Sequence, residues 1–248
     1  MTTLLAAAIT FGFTTVLTIA GVGAAFILIP VFIALGVEVH AAMATALLLN
    51  GVAMTVASAR NARRRIIDYR LALPILIVAT GLSPLGAWVS QRLDRTLLLG
   101  LFVAFLLFAG GMMLFHRTRA GRTAPSGHAV LAYGVSVGTV AGFLGGLLGV
   151  GGGNIIVPVL VWLGVEPKRA AATTSFVVVF SSLAGFLGHA TLSGIEPGLV
   201  AATAVGSAAG ALLGSYLMTD RLRGPQVKAI LGVVLIVLAA KIGWGLLR

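Results

Sequence analysis

Two stretches of this sequence place glycines and neutral hydrogen-bond donors where they could hold an anion. The sharper is GFLGGLLGVGGGNIIVP, residues 142–158, with Gly149, Gly151, Gly152, Gly153 and Asn154 at its heart. A glycine run between apolar segments turns the chain tightly and lets backbones approach closely. It also leaves unpaired N–H groups at the start of the following helix, where the helix dipole favours negative charge. The second stretch is Thr173, Thr174 and Ser175. Its hydroxyls can donate to an oxyanion without adding a buried charge. Each feature has a plainer reading. Gly142 with Gly146, and Gly145 with Gly149, have the four-residue spacing of close helix packing, and both roles can hold together. A helical Thr or Ser often bonds back to its own backbone instead.

The same pattern occurs earlier in the chain. Residues 21–45, GVGAAFILIPVFIALGVEVHAAMAT, align without a gap on residues 149–173, GVGGGNIIVPVLVWLGVEPKRAAAT, at an offset of 128 residues. Gly21, Gly23, Pro30, Gly36, Glu38 and Thr45 fall on Gly149, Gly151, Pro158, Gly164, Glu166 and Thr173. Asn50 follows slightly further along in the first copy. A fixed-period repeat marks two copies of one unit. In a helical membrane chain it suggests a transporter built around the seam between copies. The expected anion site therefore takes Gly21, Gly23, Thr45 and Asn50 from the first copy, and the glycine run and hydroxyl cluster from the second.

The elements that must position these residues are membrane helices. Apolar residues make up 59% of the 248-residue chain and charged residues only 9%. A soluble domain carries about 25% charged residues. The mean hydropathy is +1.10. The expected fold is an all-α integral membrane protein, with its 33 glycines at close helix contacts. The chain has no cysteine, which excludes disulfides and thiolate metal sites. The net charge of +11 does not point to nucleic acid, because the basic residues sit in short loops between apolar runs. The N-terminal apolar stretch lacks a positive leader and runs into the first repeat, so it reads as a retained first helix.

Each half contains five apolar segments. They lie at about 3–20, 23–36, 41–59, 71–90 and 96–115, then about 129–147, 151–164, 169–188, 197–217 and 227–247. The second segment of each half is shorter than the roughly 20 residues of a perpendicular span. Each carries a mid-segment proline, Pro30 or Pro158, which predicts a short, broken or re-entrant element. If all ten segments change side, 13 of the 17 Lys and Arg residues fall on one side. That is a strong positive-inside bias with the RNARRR loop (Arg60, Arg63, Arg64, Arg65) cytoplasmic. Five crossings per half make the halves inverted repeats. The alternative is eight full spans plus two re-entrant segments, which loses most of the charge asymmetry. The organisation expected is a first repeat at 1–118, a cytoplasmic linker at 119–128 and a second repeat at 129–248.

Other polar residues carry weaker expectations. His189 matches Asn61 in the repeat and could carry a proton, though an interfacial histidine is the favoured reading. Glu38, Glu166, Asp68 and Glu196 lie near loops and are expected to cap helices or pair with Arg and Lys. No carboxylate lies mid-segment, so no proton relay or sodium site is written in the sequence. Lys241 is expected to snorkel to the interface. Gly206, Gly210 and Gly214, continued by Gly86 in the first half, predict a tight helix contact. Enzymatic motifs are missing: GVGGGN lacks the final glycine and strand–helix context of a dinucleotide fingerprint, and no hydrolase or metalloenzyme motif appears.

At GVGGGNIIVPVLVWLGVEPKRAAATTSF the chain resembles the sulfite/sulfonate exporter family, TauE/SafE, and both halves carry the pattern over nearly the whole length. The first half departs from it, with Ala24, Ala25 and Phe26 in place of Gly152, Gly153 and Asn154. The resemblance implies a multi-pass transporter of sulfite or organosulfonates in the bacterial inner membrane. The residues alone leave carboxylate or bicarbonate, a facilitative permease, or a non-transporting scaffold open. The partners expected are a small anionic substrate and the lipid bilayer, with a homodimer left open. Neither a cofactor, a metal nor an enzymatic activity is expected.

Overall fold

A computed structural model describes residues 2–34, 36–37, 39–90, 95–115, 128–148, 151–188 and 197–246. Within them lie ten α-helices and no strand. They are α1 (Thr2–Ile19), α2 (Ala25–Ala34), α3 (Val39–Arg63), α4 (Tyr69–Ser90), α5 (Arg95–Phe115), α6 (His128–Leu148), α7 (Gly153–Trp162), α8 (Pro167–Gly188), α9 (Pro197–Tyr216) and α10 (Gly224–Leu246). A π-helical turn, Leu217–Arg221, extends α9. Six of these helices are long and apolar enough to cross a membrane. The chain is an all-α integral membrane protein. Its outer helix faces expose large apolar side chains such as Phe115, 84% exposed, and Leu187, 71% exposed.

The short helices α2 and α7 have ten residues each. At 1.5 Å per residue that is about 15 Å, half the hydrocarbon thickness. Proline does not set this length. Pro158 lies inside α7, which continues through it. Glycines at the ends do. Gly36 and Gly164 adopt φ of 85° and 92°, a left-handed conformation that side chains resist. At the end of α7, Gly164 N–H donates to the Val161 carbonyl and Val165 N–H to that of Leu160, which closes the helix. The equivalent bonds at the end of α2 run from Gly36 to Ile33 and from Val37 to Phe32.

The halves interleave. α1 packs on α9 and α4 on α6, while α3 meets α8 and α5 meets α10. Glycines set the closeness. Gly206, Gly210 and Gly214 of α9 lie against the backbones of Ala7, Phe11 and Thr15 of α1, so these two helices run parallel. Gly134, Gly138, Gly142 and Gly146 of α6 lie against Pro74, Ile75, Ala79 and Ser83 of α4, which run parallel in the same way. Gly86 faces the Phe143 carbonyl, as its match with Gly214 predicts. α3 and α8 run antiparallel, since Asn61 meets Ser175 while Asn50 meets Ser182.

One end of the bundle collects basic residues. Arg60 and Arg64, at the end of α3, both pair with Asp220 on the π turn. Lys168, at the start of α8, donates to the Thr219 carbonyl. Asp68 N–H, before α4, donates to Thr173 Oγ1. The Asp68 carboxylate accepts from the N–H groups of Arg70 and Leu71, capping α4 as expected. Arg60, Arg64, Lys168 and Arg221 therefore share one end. Residues 119–127 of the expected linker, Glu38 and Glu196 lie outside the described residues, and His128, its expected last residue, opens α6.

Candidate functional site

The two glycine breaks meet at mid-depth of the bundle. The first break follows α1. Gly21 N–H donates to Thr18 and Val22 N–H to Leu17, closing the helix with Gly21 at φ 72°. Gly23, at φ 80°, then redirects the chain into α2. The second break has two successive left-handed glycines, Gly151 at φ 73° and Gly152 at φ 75°, before α7 begins at Gly153. A Cβ at Gly153 would lie 2.6 Å from the Val22 carbonyl oxygen, so the two breaks touch. Both half-helices thus start at the same central point. The N–H groups of Ile27 and Ile155 already donate to the Ala24 and Gly152 carbonyls, so those of the first two residues of each helix are the ones without an intrahelical acceptor.

Asn50 bridges the breaks. It stands near the middle of the 25-residue α3. Its amide abuts Gly23 on one side, and a Cβ at Gly151 would come within 3.2 Å of its Nδ2. Asn50 Nδ2 donates to Ser182 Oγ at 2.8 Å. Ser181 Oγ donates to the Gly151 carbonyl at 3.0 Å, and Ser83 Oγ to the Ser181 carbonyl at 3.2 Å. Helices α3, α4 and α8 therefore fasten the second break through three hydroxyls and one amide.

Several polar atoms here are buried without a hydrogen-bond partner. They include Asn50 Oδ1, Thr45 Oγ1, Thr174 Oγ1 and both amide atoms of Asn154. A buried group left unsatisfied costs about 1–3 kcal/mol. Asn154 stands in the first turn of α7 and is 1% exposed. Among the described residues, every buried polar side chain is Thr, Ser or Asn. The centre is therefore neutral in its side chains and positive in its helix ends.

The predicted residues do not all converge. Gly21, Gly23, Asn50, Gly151, Gly152 and Gly153 come together, and Asn154 opens α7 beside them. The hydroxyl cluster divides, because consecutive helical residues point about 100° apart. Ala171 meets Gly21, Val178 meets Gly153 and Ser182 meets Gly151 along α8, while Thr174 is buried with its hydroxyl unpartnered. Thr173 instead supports the α3–α4 connection, and Ser175 accepts from Asn61. Gly149 and His189 lie outside the described residues. Ser83, Ser181 and Ser182 were missed. Ser182 follows Ser175 by seven residues, two helical turns onto the same face, and that spacing could have revealed it. The apolar groove between α5 and the end of α7, lined by Leu107, Phe108, Gly111, Met112, Phe115 and Trp162, offers an anion no polar side chain.

Known proteins resemble this chain in sequence. The model of the sulfite exporter TauE/SafE family matches residues 4–242. A Bacillus subtilis protein described as probable membrane transporter protein YunE is 28% identical over 254 residues, covering 90% of each chain. The probable membrane transporter protein MJ0441 of Methanocaldococcus jannaschii is 26% identical over 178 residues, 69% of this chain and 66% of its own. An Arabidopsis thaliana protein called Sulfite exporter TauE/SafE family protein 6 is 49% identical over a shorter 57 residues, 23% of this chain and 11% of its own. No solved structure matches the chain significantly.

Proposed function

This chain belongs to the sulfite exporter TauE/SafE family of membrane transporters, and we propose that it exports small sulfur oxyanions, sulfite or organosulfonates, by alternating access. The observation that carries the proposal is the meeting of the two half-helix starts around Asn50 and Ser182. Each helix N-terminus is equivalent to roughly half a positive charge, so two of them can offset a bound monoanion. Amide and hydroxyl donors add directionality. A buried Arg would bind more tightly, but an ion pair stripped of water is costly to form and hard to release. A neutral centre suits a site that must let go on the other side.

Two further observations support a carrier. The centre is closed to both ends, with Asn50 and Ser182 at 0% exposure and Val22 at 1%. An open pore would leave such a centre in contact with water. Corresponding helices also run opposite ways: α3 against α8, and α5 against α10, whose contacts pair Gly110 with Gly232 and Val103 with Gly243. This favours inverted repeats, one half rocking against the other around the central site. The gathered basic residues favour a cytoplasmic placement of that end in a bacterial inner membrane. The chain has no native cysteine, so a single Arg63→Cys should be labelled only from the cytoplasmic side.

Flux into proteoliposomes tests the reading. Sulfite and methanesulfonate should move with saturable kinetics, and acetate and bicarbonate at least tenfold more slowly. Asn50→Leu should reduce the rate by tenfold or more at equal protein content. Equal rates for acetate would overturn the sulfur assignment. Unsaturable flux or single-channel currents would overturn the carrier, and an unaffected Asn50→Leu would overturn the central site.

A further inference from the structure

The basic end holds a cluster that the central site does not use. Arg60, in the last turn of α3, and Arg64, just past its end, are four residues apart, a spacing at which like charges repel. One carboxylate reconciles them: Asp220 Oδ2 accepts from Arg60 Nη2 at 2.5 Å, and Oδ1 pairs with Arg64 Nη2 at 2.5 Å. Tyr216 holds Arg60 in place, with the guanidinium 5.1 Å from the ring centroid, and the Tyr216 hydroxyl accepts from Arg221 Nε at 3.0 Å. Even so, Arg60 Nε is buried with no acceptor. The pair presents more donors and more charge than a carboxylate can match. An oxyanion with three terminal oxygens supplies the missing acceptor, and a dianion would neutralise both guanidiniums.

Asp220 is delivered by an irregular element. It lies on the π turn Leu217–Arg221 rather than on regular α-helix. Such turns are rare and frequently mark functional positions. α3 leads inward from Arg60 to Asn50, about 15 Å away at 1.5 Å per residue. Asn61, next to Arg60, leaves its Oδ1 buried and unpartnered, as does Thr174 Oγ1 beside Asn61's partner Ser175.

We propose that Arg60 and Arg64 form an oxyanion-capture site at the basic mouth of the transport path, occupied in the closed protein by the Asp220 carboxylate as an internal competitor. The proposal rests on the anion-transport reading above. An arriving sulfite or sulfonate displaces Asp220, frees the π turn and detaches α9 from α3 at this end. Removing the competitor should therefore tighten binding, whereas removing either arginine should weaken it.

Isothermal titration of methanesulfonate and sulfite into the purified full chain tests this at fixed ionic strength. An Asn50→Leu background disables the centre and isolates the mouth. Asp220→Asn and Asp220→Ser should each lower the dissociation constant at least threefold. Arg60→Gln should raise it at least tenfold, and Arg60→Lys less. Melting temperatures of all variants identify those that fail to fold. If both Asp220 variants fold and bind with unchanged affinity, or if Arg60→Gln binds as well as its parent, the capture site is refuted. Failure of the transport reading looks different: the otherwise unmodified chain would bind anions in an Arg60-dependent way yet carry none of them in liposomes.

Discussion

The two glycine breaks share a spelling but differ in what presses on them. At the first, the obstacle to any side chain on Gly23 is the amide of Asn50, a side chain that can move. Its repeat counterpart in the second break, Gly151, likewise meets side chains, those of Ser182 and Asn50, but the two glycines that follow it meet backbone. A Cβ on Gly152 would lie 2.5 Å from the Ala141 carbonyl oxygen, and one on Gly153 would meet that of Val22. The first break therefore has a backbone obstacle only at Gly21, against Ala171, whereas the second has two in succession at the start of α7. The difference also explains why the copies have diverged. Ala24 and Ala25 replace Gly152 and Gly153, so the first break admits side chains where the second cannot.

The sharpest way to break this comparison is substitution at each glycine. Gly152→Val should abolish both folding and flux. It combines a left-handed φ, which costs a side chain about 1–2 kcal/mol, with a backbone collision worth a further 1–3 kcal/mol. Gly23→Ala should also destabilise, but adding Asn50→Ala should recover part of the loss by about 1 kcal/mol, a non-additivity expected of residues in contact. Melting temperatures of the single and double variants in detergent decide the matter. Recovery of the Gly152 variant on trimming Ser182, or none of the Gly23 variant on trimming Asn50, would erase the distinction.

Asn154 tests what the second break is for. Its first-copy counterpart is Phe26, so an apolar residue is compatible with this position of the repeat. Both amide atoms of Asn154 are buried and unpartnered. Asn154→Leu should therefore raise stability by about 1–2 kcal/mol, the penalty for a buried unsatisfied group. It should also slow anion flux at least fivefold. A stabilised variant with full flux would make Asn154 a structural relic rather than a ligand-facing donor.

The sequence revealed some of this and concealed the rest for physical reasons. The ten helices were legible because each is a continuous apolar run, and the offset of 128 residues pairs their glycine ends. Gly206, Gly210 and Gly214 announced their contact because four-residue spacing keeps them on one face. The proline in the short segment misled, since α7 absorbs Pro158 and owes its length to Gly152 and Gly164. The hydroxyl cluster Thr173–Ser175 was read as one unit although a helix must splay it. The serines that fasten the second break were hidden because their partners lie far away in the chain. Asn50 and Ser182 are 132 residues apart, and Ser83 and Ser181 are 98 apart.

The smallest expected effect lies at Arg65, and it separates conformation from charge. Glycines close α1, α2 and α7 in left-handed geometry, but Arg65 closes α3 at φ 55°, the only described non-glycine residue with positive φ. Its N–H donates to the Ala62 carbonyl, and Ile66 N–H donates to that of Asn61, the same closure found at Gly21, Gly36 and Gly164. The backbone asks for glycine here, and the residue present is a cation at the basic end. Arg65→Gly should relieve about 1 kcal/mol of left-handed strain, less what the freer unfolded chain takes back. The melting temperature should rise by about 1–3 °C, the scale for a change of that size in a chain of this length. Flux per correctly oriented molecule should stay the same. The fraction inserted with its basic end cytoplasmic, read by labelling at Arg63→Cys, should fall slightly. A lower melting temperature would mean that Arg65 makes a stabilising contact outweighing its strain, and the first half would then be held at this end by more than its orientation signal.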